Sequence, residues 1–200
     1  MTHPQRPWVA QARLDTPLGG LLLAATDRGL GGVWFDDQAH HPGPLDAPVM
    51  PDHPLLAQAR RELDAYWADA LRARFELALD LGGTPFQQAV WAELRQIRPG
   101  QHESYGQIAR RLGRPLAMRA VGAAVGRNPV GIIVPCHRVL GQDGALTGYA
   151  GGLPRKRDLL QREGHRLPVQ AGPARGEAPG PSRPAPGSTA GSAAAASTPR

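Results

Sequence analysis

The sequence predicts an α/β protein in which a small, strand-rich N-terminal domain precedes a mostly helical domain that contains a helix-turn-helix. Short apolar runs separated by turn residues fill the first part of the chain. Two helical patterns around a glycine-containing break follow later, and the last 36 residues show no periodicity. We therefore expect an N-terminal α/β domain over residues 1–83, a C-terminal domain over 84–164 and a disordered tail over 165–200.

The N-terminal domain is predicted from alternation and turn signals. The apolar runs predict three short strands, at residues 9–14, 21–26 and 31–35. The turn cluster Asp27-Arg28-Gly29 favours a hairpin between the last two. Apolar residues at helical spacing over 56–70 predict an amphipathic helix that covers the sheet, and alternation over 75–81 predicts a further strand. We assign no chemistry to this domain.

The C-terminal domain is predicted to open with a capped helix. Thr84-Pro85-Phe86-Gln87 places a threonine at the N-cap, proline at the first helical position and glutamine three residues after the cap. Further helices are expected at residues 105–112, 117–126 and 153–163. Because Gly113-Arg114-Pro115 separates the first two of these, their spacing predicts a helix-turn-helix whose second helix reads a nucleic acid.

Cys136 is the only cysteine in the chain. The short β-branched run at 130–134 predicts a buried strand, and Pro135 ends it, so the cysteine is expected where the chain leaves the core. A thiol with an ordinary pKa of about 8.5 needs a neighbouring base or positive charge to act as a nucleophile. His137 and Arg138 follow directly and supply both. The alternative is an inert, buried cysteine.

Positive charge is concentrated around this cysteine. Between residues 104 and 142 there is no Asp or Glu, but there are six arginines: Arg110, Arg111, Arg114, Arg119, Arg127 and Arg138. A stretch of one sign indicates an anionic partner such as a nucleic acid, although a solvated basic face is the alternative. No apolar run approaches the length of a membrane span, and one cysteine fits a reducing compartment, so we expect a cytoplasmic protein.

The second helix of the pair has almost no bulky side chains. Its small residues are Ala117, Ala120, Gly122, Ala123, Ala124 and Gly126, and Arg119 is its one long charged group. Two glycines weaken a helix, so a separate reason for them is expected. Close packing against the core is one reason, and close approach to a narrow minor groove is the other. The glycine-rich stretch 147–152 is similarly either a loop that exposes backbone N–H groups or a flexible connector.

In this order and spacing the motifs resemble the O6-alkylguanine-DNA alkyltransferase family, from about Leu14 to Gly164. The motifs that carry the resemblance are Ile133-Val134-Pro135-Cys136-His137-Arg138-Val139, Ser104-Tyr105-Gly106-Gln107-Ile108-Ala109, Arg119-Ala120-Val121-Gly122, Asn128-Pro129-Val130 and Gly148-Tyr149-Ala150-Gly151-Gly152. The resemblance implies a ribonuclease-H-like N-terminal domain and a winged-helix-like C-terminal domain. It also implies DNA repair by irreversible, single-turnover alkyl transfer from O6-alkylguanine to a cysteine, by a monomer without a cofactor.

The resemblance further assigns roles to individual residues. Cys136 is implied as the alkyl acceptor, and His137 as the base that takes its proton through a water. Glu163 would orient the histidine, and Asn128 would be the hinge between the recognition helix and the cysteine. DNA contacts are implied for Tyr105, Arg119, Ala120, Gly122, Ala123 and Arg138, with Arg119 filling the stack from which the guanine is flipped. Val139, Tyr149 and Ala150 would line the guanine pocket.

The sequence departs from the family pattern in ways that bear on the site. Many relatives carry serine where this chain has Ala150, so only a backbone N–H is left to bond O6 there. Some relatives hold zinc with N-terminal cysteines, which this chain lacks, and we expect no metal. Two other functions stay open: a damage sensor that flips alkylguanine without repairing it, and an unrelated cysteine hydrolase. A major-groove transcription factor would need more base-reading side chains than this helix offers.

Overall fold

A three-stranded antiparallel sheet is the centre of the N-terminal part. The computed structural model describes residues 7–166. Its first strands are β1 (Ala10–Thr16), β2 (Gly19–Ala25) and β3 (Leu30–Phe35), with β2 in the middle. The turn before β3 closes through a hydrogen bond from Thr26 N to Gly29 O at 2.9 Å. The predicted strands and hairpin are thus confirmed.

Alternate side chains of the sheet serve two apolar clusters, because successive residues of a strand point to opposite faces. Leu21 and Leu23 belong to the main core, which helix α1 (Pro54–Ala68) covers. Leu22 and Trp34 belong to a smaller cluster on the other face. The helix expected from the apolar spacing therefore lies where it was predicted, against one face of the sheet.

The C-terminal part is mostly helical. Its elements are α2 (Pro85–Leu94), β4 (Glu103–Ser104), α3 (Tyr105–Arg111), α4 (Met118–Gly126), a 3₁₀ turn (Cys136–Arg138), β5 (Val139–Leu140) and α5 (Leu153–Arg162). Capping boxes at Thr84 and Ser104 begin α2 and α3. The Trp91 indole N–H donates to Ala124 O at 2.9 Å and so ties α2 to α4. The predicted helix pair is present as α3 and α4.

Two predicted strands are absent from the structure. Residues 130–134 form a compact turn that touches β3 only at the bridge between Val33 and Val130. Ile132 has a φ of 71°, which no strand accommodates, and Asn128 Nδ2 donates to Val134 O at 2.7 Å, folding the run back on itself. Residues 75–81 pair with β3 only through the bridge of Leu79 to Leu30. Apolar alternation there reflects burial rather than ladder pairing.

Most of the expected tail lies outside the described residues, from position 167 onward. Within the part of the chain that the structure describes, no helix is both long and apolar enough to cross a lipid bilayer.

The capping box of α2 yields a prediction about stability. Thr84 Oγ1 accepts from Gln87 N at 3.2 Å, and Gln87 Oε1 accepts from Thr84 N at 2.8 Å. We expect Thr84→Ala to lower the free energy of unfolding by about 1 kcal/mol, measured by urea denaturation. Thr84→Ser keeps the hydroxyl and should retain most of the stability; equal losses in both variants would contradict the cap.

Candidate active site

Cys136 lies at the first position of the 3₁₀ turn and opens into a pocket of about 230 Å³. The pocket is lined by Ala39, His40, Tyr105, Gly122, Val125, Gly126, Cys136, Gly148, Tyr149 and Ala150. Its walls come from Tyr105 at the start of α3, from helix α4, from the glycine-rich loop and from a segment of the N-terminal part. Four separate stretches of sequence therefore converge on the only thiol of the chain.

The thiol is held in a buried, hydrogen-bonded position. Cys136 is 5% exposed, and Asn128 Nδ2 donates to its Sγ at 3.2 Å. Burial raises the pKa of the Cys136 thiol, and the hydrogen bond from Asn128 and the charge of Lys156 oppose that rise only in part. The resting group is consequently the protonated thiol, and making a thiolate requires a base.

His137 is placed to be that base. Its side chain is fully buried, and its Nε2 lies 2.9 Å from Glu163 Oε1. Because a carboxylate only accepts hydrogen bonds, Nε2 carries the proton and Nδ1 is the free lone pair. Nδ1 makes no hydrogen bond to any residue within 7–166. Burial lowers the pKa of His137, although Glu163 raises it, so the imidazole is neutral.

Glu163 is the hub of the buried polar network. It accepts from the Tyr66 hydroxyl at 2.9 Å in addition to His137. The Arg138 guanidinium donates from Nε to Oε2 at 2.7 Å and from Nη2 to Oε1 at 2.8 Å. Burial by itself raises the pKa of Glu163, but the hydrogen bonds from His137 and Arg138 and the charge of Arg138 outweigh it and lower the pKa to about 2. Glu163 is thus a stable carboxylate.

Two expected assignments need correction. Arg138, expected to contact DNA, is only 6% exposed and is committed to Glu163 and to the Ile97 carbonyl, because a buried carboxylate requires a charged partner. Val139, expected to line the guanine pocket, is fully buried in the main core and is not among the residues that line the pocket. Tyr149 and Ala150, by contrast, do line the pocket.

Lys156 is a polar core residue that the sequence reasoning missed. It is fully buried, and its ammonium group donates to the carbonyls of Val139, Thr147 and Gly148. Burial lowers the pKa of Lys156 to about 8, and Cys136 opposes that shift. The lysine fastens the glycine-rich loop to β5, the strand that follows the cysteine turn. Tyr66, on the helix expected over 56–70, is a second polar partner in the core that the sequence did not indicate. Residues 156, 159, 160 and 163 are spaced as the buried face of a helix, and this spacing is the sequence signal that Lys156 is buried.

The remaining expected residues lie around α4. Arg119, Ala120 and Ala123 are exposed on this helix. A side chain added at Gly122 would touch the Tyr105 ring at 3.8 Å, and one added at Gly126 would meet nothing within 4 Å. Core packing therefore demands neither glycine. Both glycines line the pocket.

Metal ligation has no site in the described part of the chain. Among residues 7–166, no group of three or more His, Cys, Asp or Glu side chains is placed to hold an ion.

Comparisons with known proteins agree with this geometry. Residues 85–165 match the family model described as 6-O-methylguanine DNA methyltransferase, DNA binding domain, and residues 10–81 match the ribonuclease-like domain of the same name. The chain is 46% identical over 154 residues to the methylated-DNA–protein-cysteine methyltransferase of Mycobacterium leprae, covering 77% of this chain and 92% of that protein.

Solved structures give the same result. The crystal structure of Mycobacterium tuberculosis OGT in complex with DNA superposes with a TM-score of 0.70 at 44% identity, over 78% of this chain and 92% of that one. The O6-methylguanine-DNA methyltransferase of Pyrococcus kodakaraensis gives a TM-score of 0.54 at 25% identity, over 78% and 99% of the two chains.

The low pKa of Glu163 predicts a pH-dependent contribution to stability. The carboxylate stabilises the fold fully above its unfolded pKa of about 4.3, and this contribution is lost as the pH falls towards the folded pKa. We expect the difference in unfolding free energy between wild type and Glu163→Gln to be largest near neutral pH and to shrink between about pH 5 and 2. Urea denaturation across that range measures it.

Asp158→Asn is the matched control, since Asp158 is exposed on the same helix. A Glu163→Gln deficit that stays constant with pH would contradict the assigned pKa.

Proposed function

The chain belongs to the 6-O-methylguanine DNA methyltransferase family, and from that premise we propose that Cys136 is its alkyl acceptor. The chain repairs DNA by transferring a methyl group from methylated DNA to its own cysteine. The observation that carries the proposal is the single thiol that lines a pocket, with the buried His137–Glu163 pair beginning at the next residue of the same 3₁₀ turn. The chemistry is self-alkylation.

The proposed step follows from the protonation states. The neutral imidazole of His137 receives the proton of the Cys136 thiol at Nδ1 through a water, and Glu163 holds the ring in the required tautomer. The thiolate attacks the alkyl carbon, a C–S bond forms and the C–O6 bond breaks. The released guanine takes up one proton, which balances the proton that the Cys136 thiol gave up. Water does not cleave the thioether that forms on Cys136, so the thiol is not regenerated and each protein molecule reacts once.

Access to the alkyl carbon requires the nucleotide to leave the duplex. O6 lies on a base edge within the stack, and flipping the base out costs a few kcal/mol. We propose that α4 enters the minor groove, that Arg119 fills the vacated space and that Tyr105 contacts the adjoining phosphate. The exposed, small Ala120 and Ala123 allow the close approach. Tyr149 and Ala150 would then contact the flipped guanine, the latter through its backbone.

The remaining parts of the proposal concern organisation. We place the boundary between the two domains near residue 84, where a capping box opens α2. The protein would act as a monomer on double-stranded DNA and would need no cofactor. It would work in the cytoplasm, or in the nucleus of a eukaryote, because its partner is DNA and its thiol must stay reduced.

The first test is mass spectrometry after incubation with a duplex that contains one O6-methylguanine. We expect a gain of one CH₂ unit on the peptide that contains Cys136, together with restored guanine. Cys136→Ala should bind the same duplex without gaining mass. Tight binding by wild type without any gain would move the protein to the class of damage sensors.

Glu163→Gln tests the orienting carboxylate. Because glutamine cannot hold His137 as a charged acceptor does, we expect alkyl transfer to slow by about 10² to 10⁴-fold, the contribution of base catalysis. Affinity for the duplex should be unchanged, and Asp158→Asn should react like wild type. Loss of DNA affinity instead of rate would make the role of Glu163 purely structural.

Arg119→Ala tests the flipping role. We expect the variant to react far more slowly with alkylated duplex than wild type, while its reaction with free O6-benzylguanine stays close to the wild-type rate. Only the duplex substrate demands flipping. Arg110→Ala, which removes an exposed arginine from α3, should weaken DNA binding in a salt-dependent way without a flipping defect. Equal losses on both substrates would refute the role of Arg119.

A further inference from the structure

A segment of the N-terminal part forms one wall of the alkyl-acceptor pocket. Residues 36–41, here called the cover segment, follow β3 directly. Ala39 and His40 line the same pocket as Cys136. The Ala39 N–H donates to the Ala150 carbonyl at 2.9 Å and so joins the segment to the glycine-rich loop. No motif in this stretch predicts chemistry.

The cover segment is anchored ahead of His40. Gln38 accepts from the Phe35 N–H through Oε1 at 2.9 Å. Asp37 forms an ion pair of 2.7 Å with Arg155, and the hydrogen bond to that arginine lowers the pKa of Asp37. The same guanidinium lies 4.4 Å from the centre of the Phe35 ring and donates to the Gly151 carbonyl at 3.1 Å. Arg155 therefore ties the cover segment to the glycine-rich loop a second time.

The segment is also held beyond His40. The His41 ring packs edge-on against Trp34, with 6.3 Å between ring centres, and its Nδ1 accepts from Gly43 N at 3.0 Å. Between these anchors His40 has a φ of 62°, a left-handed conformation that is unfavourable for a residue with a side chain. Such strain persists only where the surroundings impose it, and it occurs often at functional sites.

We propose that His40 is a specificity-determining residue that limits the size of the alkyl group accepted by Cys136. This inference rests on the proposed function. The other walls come from Tyr105, α4 and the glycine-rich loop, which the proposed function assigns to the DNA backbone, the minor groove and the flipped base. A methyl group fits against the thiol, whereas a larger substituent on O6 extends towards the remaining wall, which Ala39 and His40 form. The exposed position of His40 places it at the rim of that wall.

A series of substitutions at His40 tests the proposal. His40→Asn and His40→Gly shorten the side chain, and both residues tolerate a positive φ. His40→Trp enlarges it. Full-length variants react with duplexes of one sequence that carry either O6-methylguanine or O6-benzylguanine, and the second-order rate of alkylation is measured for each.

The benzyl-to-methyl rate ratio is the decisive quantity. We expect it to rise about tenfold in the two shortened variants and to fall about tenfold in the tryptophan variant. Asp46→Gly, an exposed change in the same loop, should leave the ratio unaltered, and thermal unfolding verifies that each variant is folded. Free O6-benzylguanine should repeat the trend, since it lacks DNA contacts.

The two proposals fail in different ways. A benzyl-to-methyl ratio that is the same in all three folded His40 variants as in wild type would overturn the role of His40 and leave alkyl transfer intact. Absence of any mass gain on Cys136 of the wild-type protein with both duplexes would overturn the proposed function itself.

Discussion

The buried carboxylate of Glu163 is the group on which the fold and the site jointly depend. A charge without solvent exposure is costly unless it is paired and fully hydrogen-bonded. Glu163 meets this requirement with partners from two other regions of the chain: Tyr66 on α1, and His137 and Arg138 on the cysteine turn. The contact that orients the base therefore also fastens the N-terminal helix to the C-terminal helix α5. A change that weakens the contact between Glu163 and His137 would therefore also weaken the attachment of α1 to α5.

The same network explains why the site needs a base beside the thiol. Burial raises the pKa of the Cys136 thiol and lowers the pKa of His137, so both groups are neutral at rest. A carboxylate alone beside His137 would favour the imidazolium, which has no lone pair to accept a proton. Burial is the largest cause that offsets this effect, and the charge of Arg138 adds to it, because both lower the pKa of His137. The neutral histidine can thus act as a base, while the carboxylate fixes its tautomer.

Local signals and motif order could be read from the sequence, whereas long-range polar pairing could not. The cap at Thr84 is local and was predicted correctly. Residues 130–134 were predicted to be a strand because a buried apolar run has the same composition in a turn as in a strand. Tyr66 lies 97 residues from Glu163 in the chain, and nothing local marks its hydroxyl as a donor. In the sequence, Lys156 is a charged residue at an inward-facing position of a helical pattern. Composition alone does not show which groups its ammonium contacts.

The division of the arginines shows what a charge count conceals. The acid-free stretch 104–142 suggested six cations facing one partner, but Arg138 serves the protein interior. Arg111 pairs with Glu93 and Glu103 and is 40% exposed, so part of its charge is compensated within the protein. Within residues 7–166, Arg119 is exposed and forms no ion pair with a carboxylate, so its charge is available to DNA. Contacts between arginines and DNA phosphates weaken as the salt concentration rises. The acid–base chemistry of the buried site does not depend on those contacts, so the two properties can vary independently.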